Sequence, residues 1–205
     1  MGFSLLETMR LDGGQIVRLE RHLTRAAAGA ATLGFAWDET GARTAVDAAA
    51  AAHPAGVWRT RLLLTTEGHA TAECTPLVHD ETRVWRVALA ANPVASNDPS
   101  LRVKTTRREL YERAKAGRPD VDDVLLWNER GEVTESTIAN VVAEIDGTWH
   151  TPPVSCGLLP GVFRAAVLDA DMVRERVITK ADLERASRLW LINSLREWMK
   201  AVLVA

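Results

Sequence analysis

Amine chemistry has few candidates in this chain, because only four of its 25 basic residues are lysines: Lys104, Lys115, Lys180 and Lys200. Lys104 is the most suggestive by position. It lies just ahead of Thr106-Arg-Arg-Glu109, which has the spacing of a helix capping box, and the positive end of a helix starting there disfavours an ammonium group. A lysine perturbed in that way suits imine formation with a carbonyl cofactor. A solvated surface lysine is the competing reading. Lys115, among Glu112, Arg113 and Arg118, reads as helix surface, and Lys180 and Lys200 read as surface too. Arg21 and Arg25 stand four apart on a predicted helix, opposite its apolar stripe, which suits either a phosphate clamp or a solvated face. Pro160-Gly161 leads into a predicted helix whose first N–H groups and dipole favour an anion, although such helix starts are common. Glu135, in Val133-Thr-Glu-Ser-Thr137, falls between two predicted strands. It is either a carboxylate buried for a purpose or a strand-end surface residue.

Other chemistries find no support. His22, His53, His69, His79 and His150 form no short-spaced metal set with Cys, Asp or Glu, so no metal site is expected. Nucleophile-elbow, Walker A and dinucleotide-binding glycine motifs are all absent from the sequence. Seven tryptophans read as core or interface rather than as a base-stacking array, since 25 Lys+Arg against 27 Asp+Glu leave a formal charge of −2. Neither a nucleic-acid nor a membrane partner is expected. No apolar run has the roughly 18–20 residues of a membrane span, and the N-terminus lacks the features of a signal peptide. Cys74 and Cys156 are far apart and suggest reduced thiols in a cytoplasmic protein.

The elements that must position these residues follow from periodicity. The 205 residues, 47% hydrophobic and 25% charged, suffice for one large or two small α/β domains. Strands are predicted at Phe3–Met9 and Gln15–Arg18, around a turn at Asp12-Gly-Gly14. A helix carries Leu19, Leu23, Ala26, Ala30 and Leu33 on one face and stops at Gly34. A second helix runs from Asp38 to about Ala52, and strands follow at Val57–Thr66, Ala70–Pro76 and Thr82–Ala91, which together suit a helix-backed antiparallel sheet. Asn92–Ser100, with two prolines and small polar residues, reads as a linker, giving domains 1–95 and 96–205. The second domain reads as a helix to Gly117, strands at Asp123–Trp127 and Ile138–Ile145, and a short strand reaching Thr151. A helix at Val162–Ala170, a strand near Val173–Ile178, a helix from Ala181 and a strand at Arg188–Asn193 complete it.

In this order the pieces resemble the class IV, fold-type IV family of pyridoxal-phosphate enzymes, which holds branched-chain and D-amino-acid transaminases and 4-amino-4-deoxychorismate lyases. The matching segments are Leu6-Glu-Thr-Met-Arg10, His22-Leu-Thr-Arg25, Arg61-Leu-Leu-Leu-Thr65, Lys104-Thr-Thr-Arg-Arg108 and Asn128 to Asn140. Thr151-Pro-Pro153, Gly157-Leu-Leu-Pro-Gly-Val-Phe-Arg164 and Leu191-Ile-Asn-Ser194 complete the set, which spans nearly the whole chain. The resemblance implies two α/β domains of the D-amino-acid-aminotransferase type with pyridoxal 5'-phosphate between them, usually in a homodimer. It implies Lys104 as the Schiff-base lysine and proton shuttle, Glu135 as the carboxylate facing the pyridine nitrogen, and Arg25 as a phosphate ligand. Val162 and Phe163 match backbone N–H donors to the phosphate, and Ser194 matches a hydroxyl ligand.

Within the family the sequence looks most like the lyases. Thr8 stands two residues before Arg10, where lyases often carry threonine, and Glu109 replaces the tyrosine that many transaminases place five after the lysine. The expected reaction is release of 4-aminobenzoate and pyruvate in folate biosynthesis, with Thr8 near the leaving group and Arg107, then Arg61, facing substrate carboxylates. A link to aminodeoxychorismate synthase follows from that reading. A class IV aminotransferase acting on branched-chain or D-amino acids is the alternative, and a non-catalytic member binding an anion or a partner subunit is a third. Members commonly carry a further N-terminal strand and loop ahead of the segment matching Phe3–Arg10, and the sequence starts without them.

Overall fold

The computed structural model describes residues 2–78 and 80–205 as a mixed α/β protein of two compact units, Met1–His79 with Val103–Arg107, and Asp80–Arg102 with Arg108–Ala205. His79, one of the histidines weighed above, lies outside the described residues. No helix among the described residues is long and apolar enough to cross a membrane.

The first unit is a four-stranded antiparallel sheet backed by two helices. Strands β1 (Leu5–Asp12) and β2 (Gln15–Ile16) form a hairpin through Gly13 and Gly14, both at positive φ. Helices α1 (Leu19–Leu33) and α2 (Glu39–Ala51) precede β3 (Val57–Leu64) and β4 (Ala70–Pro76), and the sheet order is β2-β1-β3-β4. Gly34 ends α1 in the left-handed conformation, and the Asp38 side chain caps α2 at Gly41 N–H, 3.0 Å away. Alternation along β1 turns Leu5, Glu7, Met9 and Leu11 to one face. Met9 packs with Leu23, Ala42, Val46 and Leu62, while Leu5 packs with Ala30, Leu64 and Val103.

Val103 belongs to that core because residues 103–107 return to the first unit. Lys104 C=O accepts from Leu6 N–H at 3.0 Å, Ser4 C=O accepts from Thr106 N–H at 2.9 Å, and Leu5 bridges Thr105 antiparallel. The expected capping box therefore fails. Thr106 Oγ1 accepts from Ser4 N–H at 3.0 Å, and the helix begins only at Glu109, with Arg108 at the N-cap and no side-chain cap bond.

The second unit is built on a closed barrel. Its elements are β5 (Trp85–Leu89), α3 (Glu109–Ala116), β6 (Asp123–Trp127), β7 (Val133–Ser136), β8 (Asn140–Ile145), β9 (Thr148–Thr151), α4 (Val162–Asp169), β10 (Arg174–Glu175), α5 (Lys180–Arg185), β11 (Arg188–Asn193) and β12 (Glu197–Leu203). The sheet order is β10-β9-β8-β11-β12-β5-β6-β7, and β7 pairs back onto β8. That last pairing closes six strands around Val87, Leu125, Val133, Val141, Leu191 and Met199. Helix α3 covers Ala88 and Val124, while α4 packs on Val142 and Ile192 with Trp149, Trp190 and Trp198.

Four sequence expectations change here. The strand around residue 85 pairs in parallel with β6 and β12 instead of joining the first sheet, so the compact units divide ahead of it. Asn92–Ser100 is packed against the second unit, where Val94 bridges Asn128 and Ser96 donates to Glu129 through both its N–H (2.8 Å) and its hydroxyl (2.6 Å). Glu135 sits within a strand, β7, where the sequence reading places it between two strands, and β12 follows where no strand is expected.

Candidate active site

In the first unit the face of β1 that packs on α1 carries one acid among apolar residues. Glu7 is 3% exposed, and α1 meets it with two side chains three residues apart. Arg25 donates in bidentate fashion, Nε to Oε1 at 2.9 Å and Nη2 to Oε2 at 2.6 Å, while His22 Nδ1 lies 2.7 Å from Oε2. Burial works to raise the Glu7 pKa, but the Arg25 charge and the bonds from His22 and Arg25 outweigh it and hold the carboxyl at about 2. Burial lowers the pKa of His22, Glu7 opposes the shift, and the charges of Arg25 and Lys104 add to it. His22 is thus a neutral donor to an ionised Glu7, and Lys104 lies within electrostatic reach of this cluster. Arg21, the other half of the expected pair, is exposed.

The opposite sheet face carries Thr8 beside Arg61, its register partner, and Arg61 in turn reaches Glu73 at 3.2 Å. Arg59 shares this face opposite Arg10, and its Nε is buried without a partner; sequence alone does not distinguish it from its neighbours. Arg107 lies apart from these, its guanidinium 3.7 Å over the Phe3 ring.

In the second unit Glu135 is 4% exposed. Tyr111 Oη donates to its Oε1 at 2.9 Å and Leu159 N–H to its Oε2 at 3.2 Å. Burial first, then the charge and hydrogen bond of Glu135, push the Tyr111 phenol far above its ordinary range, so it remains a donor. Asn140, the register partner of Glu135, donates through Nδ2 to Leu159 C=O at 2.9 Å. It also closes over Gly161, where an added Cβ would clash with Asn140 Oδ1. A side chain at position 161 therefore has to displace Asn140. Gly161 opens α4, whose first turn, Val162 and Phe163, is buried and has no side-chain cap bond. Ser194 is buried in the β11–β12 turn, which Asn193 Oδ1 closes by accepting from Leu195 N–H at 3.0 Å and Arg196 N–H at 2.9 Å. Among the described residues no group of three or more His, Cys, Asp or Glu side chains could hold a metal ion.

Each unit by itself carries groups of kinds that cofactor chemistry uses. The first unit offers an amine and a fixed guanidinium, and the second offers a buried carboxylate and a helix start opened by a glycine.

Comparison with known proteins agrees. The profile of the class IV amino-transferases matches residues 4–204. A Schizosaccharomyces pombe protein provisionally named an aminodeoxychorismate lyase is 32% identical over 98% of this chain and 90% of its own length. A Mesorhizobium loti crystal structure, provisionally named an amino-acid aminotransferase, superposes with a TM-score of 0.92 at 42% identity, covering 98% of this chain and all of that one. A Mycobacterium tuberculosis hypothetical aminotransferase in its PLP-bound form shares the fold, with a TM-score of 0.84 at 21% identity over 98% of this chain and 81% of its own. The chain belongs to the class IV aminotransferase family of fold-type IV enzymes, whose cofactor is pyridoxal 5'-phosphate and whose substrates are small molecules.

Proposed function

We propose that this enzyme is a 4-amino-4-deoxychorismate lyase, releasing 4-aminobenzoate and pyruvate. The observation that carries the reading is the similarity, over 98% of the chain, to the S. pombe protein named for that activity. The threonine at position 8 and the glutamate at position 109 support it. The M. loti structure, at 42% identity, favours an amino-acid aminotransferase instead, and that is the second reading.

When bound, pyridoxal phosphate supplies an electron sink for negative charge generated on the substrate. Arg25, held rigid by Glu7, and the α4 start with Ser194 would bind its phosphate, and Glu135 would keep its ring nitrogen protonated. Lys104 would hold its aldehyde carbon and, once released, act as the base for the ring proton beside the substrate nitrogen. The enolpyruvyl group would leave with the electron pair of its C–O bond and become pyruvate on taking up at its methylene carbon the proton that Lys104 removed, and the ring left behind is aromatic, which drives the reaction. We assign Arg107 and Arg61 to the two substrate carboxylates and Thr8 to a water or hydroxyl near the leaving group. A homodimer, cytoplasmic placement and a functional link to the synthase that makes the substrate belong to the same proposal. Pyruvate release by cofactor-loaded protein, with Lys104→Ala as control, tests the reading. Amino-group exchange between an amino acid and a 2-oxo acid, without pyruvate release from the chorismate derivative, would replace it by the aminotransferase.

A further inference from the structure

The start of α4 is tied to one strand of the barrel by two routes. Ahead of the helix, Asn140 in β8 donates through Nδ2 to Leu159 C=O at 2.9 Å. Within the first turn, Arg164 is 4% exposed and donates through Nη2 to Pro152 C=O at 2.8 Å. Thr151, the residue before that proline, donates in turn through Oγ1 to Val141 C=O at 2.7 Å. Asn140 and Val141 are neighbours in β8, so both routes end on the same strand. A further bond runs outward from Arg164 Nη2 to Glu175 Oε1 in β10, which pairs with β9.

Arginine is a poor choice here on folding grounds alone. Helical side chains tilt toward the N-terminus, so from the third position of α4 the guanidinium lies toward the positive end of the helix dipole. Near-complete burial adds a desolvation penalty. Glu175 offsets part of it, but that carboxylate is 49% exposed, and Arg164 Nε is buried with no hydrogen-bond partner among the described residues. An anion at the start of α4 reverses the balance, because a cation at that end of the helix then attracts it.

We propose that Arg164 is a positioning residue for the phosphate end of the cofactor, anchoring the first turn of α4 to β8 and β10 so that the Val162 backbone N–H is held where the phosphate binds. The inference rests on the reading of the α4 start as part of the phosphate site. Arg164 acts through the backbone that it fixes, so its loss is felt by the phosphate and not by the rest of the cofactor.

The test compares dissociation of pyridoxal phosphate with dissociation of pyridoxal, which lacks the phosphate, loaded in its place. Wild type, Arg164→Met, Thr151→Val and Val162→Pro are measured, with the melting temperature of each. The ratio of the two dissociation constants reports the phosphate contacts, because a general loss of stability weakens both ligands alike. Arg164→Met keeps the apolar stem and is expected to reduce the preference for pyridoxal phosphate about tenfold, the worth of one hydrogen bond to a charged group. Thr151→Val, which breaks the same route without changing charge, should reduce it by a smaller factor. Val162→Pro tests the underlying reading. Proline suits the first helical position, Gly161 ahead of it is already extended at φ −66° and ψ 138°, and the substitution removes the N–H. If Val162→Pro leaves the preference unchanged, the α4 start does not hold the phosphate and the inference falls with that reading. If Val162→Pro reduces it while Arg164→Met lowers only the melting temperature, the phosphate site stands and Arg164 is merely structural. Should Arg164→Met fail to fold, an unchanged preference in Thr151→Val overturns the proposal.

Discussion

Replacing Glu7 by glutamine separates the charge of this residue from its shape. In the native protein the carboxyl titrates at about 2 against an ordinary 4.5, and the group is 3% exposed, so solvent screens the interaction little. A depressed carboxylate pKa contributes stability that is fully present above 4.5 and is lost as pH falls toward 2. The shift corresponds to about 3 kcal/mol at neutral pH, of which about 2 kcal/mol is gone by pH 3. Glutamine can still accept from the neutral His22 ring, but it removes the negative charge that Arg25, 14% exposed, grips with two hydrogen bonds. Chemical denaturation of wild type and Glu7→Gln at steps between pH 7 and pH 3 measures the difference. The variant should be less stable by about 3 kcal/mol at pH 7, near the lower end for a broken buried ion pair, and the gap should close to about 1 kcal/mol at pH 3. Other depressed carboxylates, such as Glu132 and Asp182, are common to both proteins and cancel in the comparison. A gap that stays constant across the range would refute the account, because it would mean that the loss is one of packing and not of charge.

Gly161→Ala should displace Asn140 and with it the bond to Leu159, lowering stability by about 1–3 kcal/mol and weakening cofactor binding, as measured by thermal melting and cofactor titration. Cys156 is fully buried, and burial together with Glu132 pushes its thiol up to about 12, so a thiol reagent at pH 8 should modify Cys74 alone in folded protein and both cysteines in denaturant. Arg25→Lys should weaken cofactor binding far more than it lowers the melting temperature, since an ammonium can pair with Glu7 but cannot reproduce the bidentate grip. Equal binding by that variant would remove Arg25 from the phosphate site.

How much was legible in the sequence depended on whether a residue's meaning is local. The α1 stripe, the Gly34 stop and the Asp38 start are read from spacing within one element, and the structure has them there. Glu7 is different. In β1 it looks like the polar member of an alternation, and only α1 laid across the strand reveals an acid on the apolar side with His22 and Arg25 to receive it. Tyr111 is likewise unreadable alone, because its partner lies 24 residues on in a strand whose existence depends on barrel closure. A short strand such as β7, four residues long, has little periodicity to detect and is defined by its pairings, and the parallel placement of β5 likewise rests on pairings distant in sequence. The capping-box spacing at Thr106 misleads for a related reason. Residues 103–107 are claimed by the edge of β1 before a helix can start, a tertiary contact that overrides a local signal.

The most direct test of the central claim is pyruvate release from 4-amino-4-deoxychorismate by the cofactor-loaded enzyme, measured beside Lys104→Ala. The account predicts stoichiometric pyruvate and 4-aminobenzoate from wild type and neither from the variant. Wild-type protein that holds its cofactor through Lys104, as shown by borohydride fixation, yet releases no pyruvate would contradict it.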